Sequence, residues 1–191
     1  MSTSLPIPYQ PAPPPNTDDV SELTRYTYDE LTRLAQGLIN LQQPVALTVV
    51  DNNATIPIGP LPVWERLFVG ITPEWAVPSN TWNSATAEWT NPQDGLFNMS
   101  VVMEVQPFGI GNKDYYAGLR ITVVKATGAP DVVYEVTDSG VDDFPLGVTL
   151  VIALPLYKGD VVYFEAAAVH ENQTGTVDVD ALAQITRISA A

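Results

Sequence analysis

The side chains able to do acid–base, nucleophilic or metal chemistry are few in this chain, and their spacing suits none of those tasks. His170 is the sole histidine and there is no cysteine. That removes disulfides, thiolate zinc sites, cysteine nucleophiles and any two-histidine metal site built from one chain. The remaining candidates are carboxylates: Asp142-Asp143, Asp178 with Asp180, and Glu135 with Asp138. Glycoside hydrolysis needs a pair facing one bond, and calcium needs about six to eight oxygens from a loop of spaced acids. None of these clusters supplies either set alone, and neighbouring aspartates in turns read as solvated faces. No G-x-S-x-G, P-loop or EF-hand pattern occurs. Phe108-Gly109-Ile110-Gly111-Asn112 reads as a hairpin loop because no helix follows it. His170 reads as an ordinary strand-end residue. The expectation is a protein that is not an enzyme and holds no cofactor or metal.

Composition narrows the partners. The 191 residues are 46% apolar and 16% charged, enough for one good core. Acids outnumber bases 22 to 8, giving a net charge of −14, which repels nucleic acid and anionic membranes. Lys and Arg stand singly, as at Arg66, Arg120, Lys125 and Arg187, so no basic stripe hides in the total. Met1-Ser2-Thr3-Ser4 is not a basic region ahead of an apolar one, so no secretory signal is read there. The product is expected to be made and kept in a cytoplasm until assembly.

The elements that must position any site are strands. In Phe97 to Val105 the odd-numbered residues are all apolar and the others mostly polar, a period of two. Further strands are predicted at Val45 to Val50, Ala85 to Thr90, Tyr115 to Lys125, Val132 to Thr137, Val148 to Leu154, Val161 to Val169 and Val177 to Ile188. Thr127-Gly128-Ala129-Pro130, Asp138-Ser139-Gly140 and Lys158-Gly159-Asp160 read as turns between them. Strands separated by turns rather than helices predict a mainly β chain, an antiparallel sandwich or jelly roll. Residues 44–90 read as an irregular, partly β connector with scattered prolines, and 91–191 as the jelly-roll head. Trp64, Trp75, Trp82 and Trp89 read as core and interface filling.

Ahead of the body, residues 1–26 form a proline-rich arm in which Leu5, Ile7 and Tyr9 alternate with Pro6 and Pro8. Proline fixes φ and removes donors, so the arm should be extended and largely polyproline II. It either docks on a neighbour or serves as a spacer. Residues 27–43 read as a short helix: Thr27 and Glu30 form a capping box, and Leu31, Leu34, Leu38 and Leu41 make a coiled-coil-like seam that Pro44 ends. A lone helix of this length is marginal, so the seam packs on the β body or on sister copies.

Several strands carry apolar residues on both faces. In Gly147 to Leu156 nearly every residue is apolar. In Asp160 to Val169 both alternate sets are, which predicts cover on two sides. With no helix available, the second cover is expected to be another subunit. Tyr115-Tyr116-Ala117-Gly118-Leu119-Arg120-Ile121, the strand Val148 to Leu154, and Leu156-Tyr157-Lys158-Gly159-Asp160-Val161-Val162-Tyr163-Phe164 resemble the later strands of the tumour-necrosis-factor and complement globular-head jelly rolls. A final strand like Ala181 to Ile188 completes the likeness. The resemblance implies that the Gly-Asp turn opens a strand lining a trimer, with Val162 and Phe164 in its interface beside the helix leucines. The sequence departs from that family in showing no collagen-like stalk and no secretion signal, so an extracellular signalling role is not expected.

The arm, the segment Leu23 to Leu34 and a trimeric β head together are similar to bacteriophage head-decoration (cement) and head-fibre proteins. This second resemblance implies a homotrimer on the outer surface of a virion capsid, made in the host cytoplasm. Its partner would be the major capsid protein, bound through Leu5, Pro6, Ile7, Pro8 and Tyr9. The alternative is a receptor- or glycan-binding tip or adaptor of a phage tail fibre, with Trp and Tyr residues on its loops.

Overall fold

Apolar residues at every second position force each long strand to present one face to a second sheet, and the chain meets that demand by stacking two. The computed structural model describes residues 26, 27, 29, 31, 45–107, 114–141 and 144–189. The long strands are β1 (Ala46–Gly59), β6 (Gly95–Val105), β7 (Asp114–Val124), β8 (Val132–Val141), β9 (Leu146–Leu156), β10 (Val161–Val169) and β11 (Gly175–Ser189). Short strands lie between the first two: β2 (Glu65–Arg66), β3 (Trp75–Val77), β4 (Trp82–Asn83) and β5 (Glu88–Thr90).

One layer has the order β3-β1-β11-β6-β9, and the other sets β10 between β7 and the short strands β2 and β5, with β8 outside β7. A short parallel contact, Ile58 with Ala168 and Gly59 with Val169, joins the layers at one end. Only β7 and β8 among the long strands are hairpin neighbours in one layer. The other connections cross between layers, which is jelly-roll wiring. Inward residues are sealed: Phe97, Met99, Val101, Leu119, Ile121, Val162 and Phe164 are all buried. Phe164 meets Phe68 edge-on at 6.0 Å, and Trp89 meets Phe97 at 5.7 Å, the edge-to-face packing that aromatic quadrupoles favour.

Two turns explain how the second layer keeps its register. Gly128 at φ +74° ends the β7–β8 turn, with its N–H donating to the Lys125 carbonyl at 3.0 Å. Gly159 at φ +90° sits ahead of Asp160, whose N–H donates to the Tyr157 carbonyl at 3.0 Å. Both need the left-handed region that glycine enters without steric cost. The Asp160 carboxylate, 1% exposed, then ties the turns together. It accepts from Lys125 Nζ at 3.0 Å, the Ala126 N–H at 3.0 Å and the Tyr157 N–H at 3.1 Å.

The sequence-based expectations need four corrections. The sandwich begins at Val45, not residue 91, because β1 pairs with β11 along most of its length and supplies Leu47, Val49, Ile56 and Ile58 to the core. β1 also runs through Pro57, inside the stretch read as an irregular connector. Its other flank is paired only over Ala46–Thr48 and Ile58–Gly59, so a missing donor there is tolerated. Asp138-Ser139-Gly140 is strand rather than turn, paired with Ala117, Tyr116 and Tyr115 on β7. Finally, part of the outward cover of β10 comes from the chain itself: Trp64 and Ala167 line one groove, and Arg66 sits 3.8 Å over the Tyr163 ring.

Removing the Asp160 carboxylate should leave Lys125 half-paired and two backbone donors unsatisfied. Asp160→Ala is expected to cost about 3–5 kcal/mol, read as a lower urea midpoint with an unchanged slope.

Candidate functional site: an uncharged sheet face

Each layer has an outward face, and the two differ in kind. On the β10–β7–β8 layer the charges are paired and lie over aromatic rings. Arg66 reaches Glu88 at 2.8 Å and sits 3.8 Å over the Tyr163 ring. Arg120 reaches Glu135 at 2.8 Å and sits 3.9 Å over the Trp64 ring. The Thr122 hydroxyl donates to Glu165 at 3.1 Å. Trp64 is seated by Gly118, where an added Cβ would stand 3.0 Å from the indole. Pro62, Trp64 and Tyr116 wall a groove of 120 Å³ floored by Gly118 and Ala167. On this surface Arg66 and Arg120 are each paired with a carboxylate.

The β3-β1-β11-β6-β9 layer presents the opposite. Its register aligns three outward rows across the strands. One runs Trp75, Thr48, Gln184, Ser100, Val151; the next Val50, Leu182, Val102, Thr149; the third Val77, Ala46, Thr186, Asn98, Ala153. None of these residues is charged. At about 4.8 Å between strands and 6.8 Å between like-facing residues, the rows span roughly 19 by 14 Å between outermost backbone positions. Trp75 is 55% exposed, Val151 57% and Val102 38%, so no described residue covers them. Charges resume in the following row, where Gln106 Nε2 bridges Glu104 at 3.0 Å and Asp180 at 2.9 Å.

A chain with net charge −14 that leaves a five-stranded face bare of charge has a surface suited to another protein rather than to water. A second copy fits it better than a charged partner does. Two acidic chains repel wherever their carboxylates meet, and this face has none to bring together.

The predicted site residues fall in three places. Leu5, Pro6, Ile7, Pro8, Tyr9, Leu34, Leu38 and Leu41 lie outside the described residues. Tyr26, Thr27, Asp29 and Leu31 are helical, and Leu31 is 60% exposed. Val162 and Phe164, expected at a subunit contact, are fully buried in the chain's own core, so that part of the expectation is corrected. Val102 was missed at the sequence level, while Trp75 was read only as core and interface filling and Val151 only as part of the apolar strand Gly147 to Leu156. Their signal was the charge-free outward alternation Thr149, Val151, Ala153, Pro155. His170 ends β10 with its Nδ1 accepting from the Asn172 N–H at 3.1 Å. Asp142 and Asp143 lie outside the described residues, and among the described residues no group of His, Cys, Asp or Glu could hold a metal ion. Among the same residues no helix is long and apolar enough to cross a membrane.

No protein-family profile and no curated protein sequence matches this chain. Solved structures do. The globular domain of a zebrafish complement 1qA protein is similar with a TM-score of 0.56 and 16% identity, covering 77% of this chain and 99% of that one. A chain of infectious bursal disease virus, Gx strain, is similar with a TM-score of 0.51 and 9% identity, covering 77% and 34%. The Eiger TNF of S. frugiperda gives 0.47 and 12%, covering 77% and 95%. Topology and likeness together define the class: a mainly β jelly roll of the complement-globular-head type. The same architecture also serves within a virus particle protein.

The seat of Trp64 tests the outer layer. Gly118→Val should push the indole off the sheet, costing about 1–3 kcal/mol and raising acrylamide quenching of tryptophan fluorescence.

Proposed function

We propose that this chain is a homotrimeric structural protein of a bacteriophage particle, a capsid decoration or head-fibre protein whose uncharged sheet face is buried between sister copies. The observation that carries the reading is that face, in a chain otherwise rich in acid. The jelly-roll fold supports it, because the resemblance to complement and tumour-necrosis-factor heads implies a trimer. The arm supports the attachment: Leu5, Ile7 and Tyr9 among prolines suit docking on the major capsid protein, and Leu31, Leu34, Leu38 and Leu41 suit alignment of three chains at its root. Val102, Val151 and Trp75 replace Val162 and Phe164 as the head's subunit contacts.

The mechanism is avidity. Three arms held on one body rebind at high effective concentration, so individually weak apolar contacts add to durable attachment without chemistry. The outer layer, with its paired charges, then faces solvent from the capsid surface. The alternative, a glycan-binding tail-fibre tip, draws less support, since the exposed Trp75 stands in the uncharged rows on a strand rather than on a distal loop.

Two experiments check this. Val102→Glu with Val151→Glu should keep the circular dichroism of the parent but sediment as a single chain at micromolar concentration, because like charges would be forced together on desolvation. Deleting residues 1–26 should leave the trimer intact and reduce co-sedimentation with capsids at least tenfold. Retained capsid binding by that deletion contradicts the role given to the arm.

A further inference from the structure

The outer-layer groove takes no part in the reading above, and three adjoining strands build it. Ala167, Gly118 and Thr137 form one cross-strand row, and Val169 and Tyr116 stand in the next. Trp64 overlies the first row, where an added Cβ at Gly118 would meet its indole at 3.0 Å. Arg120 stacks at 3.9 Å on that indole, yet it is not among the residues lining the groove. The walls are the Trp64 and Tyr116 rings with Pro62, and Tyr116 is 56% exposed.

Size and lining decide the ligand class. At 120 Å³ the groove falls below the roughly 300–1,000 Å³ of drug-sized pockets and close to the cavity of about 150 Å³ that accepts benzene. One compact group fits, and neither an oligosaccharide nor a peptide does. Besides Tyr116, the polar lining side chains are Thr137 and Glu135, which already accepts from Arg120 at 2.8 Å. A sugar ring would leave hydroxyls unpaired here, and a primary ammonium would leave N–H donors unpaired. An anion would meet Glu135, no lining cation and a net charge of −14. A methylated ammonium meets none of these penalties, because it carries charge without donors and is drawn to the negative faces of aromatic rings. Glu135 balances Arg120, which leaves the acidity of the whole chain to attract a second cation.

We infer that the Trp64–Tyr116 groove binds the trimethylammonium group of a small soluble molecule. A lipid headgroup is the poorer occupant, because the anionic lipids that share its membrane repel a chain of this charge. The groove lies on the layer opposite the uncharged rows, so the inference is independent of any assembly through that face.

The test is saturation-transfer NMR on the methyl resonance of choline, with the full-length chain in solution. A saturable signal is expected, and the uncharged carbon isostere dimethylbutanol should bind at least fivefold more weakly. Tyr116→Ala and Thr137→Lys, both at exposed positions, should each weaken choline binding at least tenfold while keeping the circular dichroism of the parent. Equal affinity of the parent for choline and its isostere overturns the inference, as does an undiminished signal in both variants. Tighter binding to phosphatidylcholine vesicles than to free choline would assign the groove to a membrane surface and overturn it as well.

Discussion

The rest of the structure depends on how a strongly acidic chain disposes of its outward sheet faces. Period-two alternation settles the inward faces, which seal against each other and need no partner. Every outward face must then meet either water or protein. The β10–β7–β8 layer meets water through guanidinium–carboxylate pairs laid over Tyr163 and Trp64. The five strands of the other layer bring no ionised group to their three central rows. Solvation of that surface is poor, and association of like copies through any other large surface would crowd carboxylates together. The proposed assembly follows from this asymmetry rather than from any single contact.

The supports of that asymmetry are local. Residues 60–66 fold back as a strap over β10, and Trp64 settles on the bare backbone of Gly118. This leaves Ala167 2% exposed and the other outward residues of β10 half-buried. Asp160 fastens the turn entering β10 to the turn leaving β7, so the strap rests on a sheet whose register is fixed. A proline-lined groove is the by-product of that strap.

The fold was largely legible in the sequence, because long strands such as Phe97 to Val105 carry a clean alternation that propensity and turns reinforce. Legibility failed where one residue had two meanings. Pro57 fell in the stretch read as an irregular connector, yet it sits in β1 where that strand lacks a neighbour on one flank. Asp138-Ser139-Gly140 carried turn composition, yet β7 pairs with it, and an added Cβ at Gly140 would meet Leu146 at 3.1 Å. Val162 and Phe164 could not be assigned to the right side of β10, since both of its faces are apolar and the strap comes from about a hundred residues earlier. The uncharged face was hidden for a similar reason. Its members lie on β3, β1, β11, β6 and β9, and only the pairing register reveals that Trp75, Thr48, Gln184, Ser100 and Val151 form one row.

The native mass of the unaltered full-length chain at micromolar concentration tests the central claim most directly. The account predicts a species of three times 20.7 kDa that persists in high salt, since its contact surface holds no ion pairs to screen. A single species of 20.7 kDa across that concentration range would contradict it.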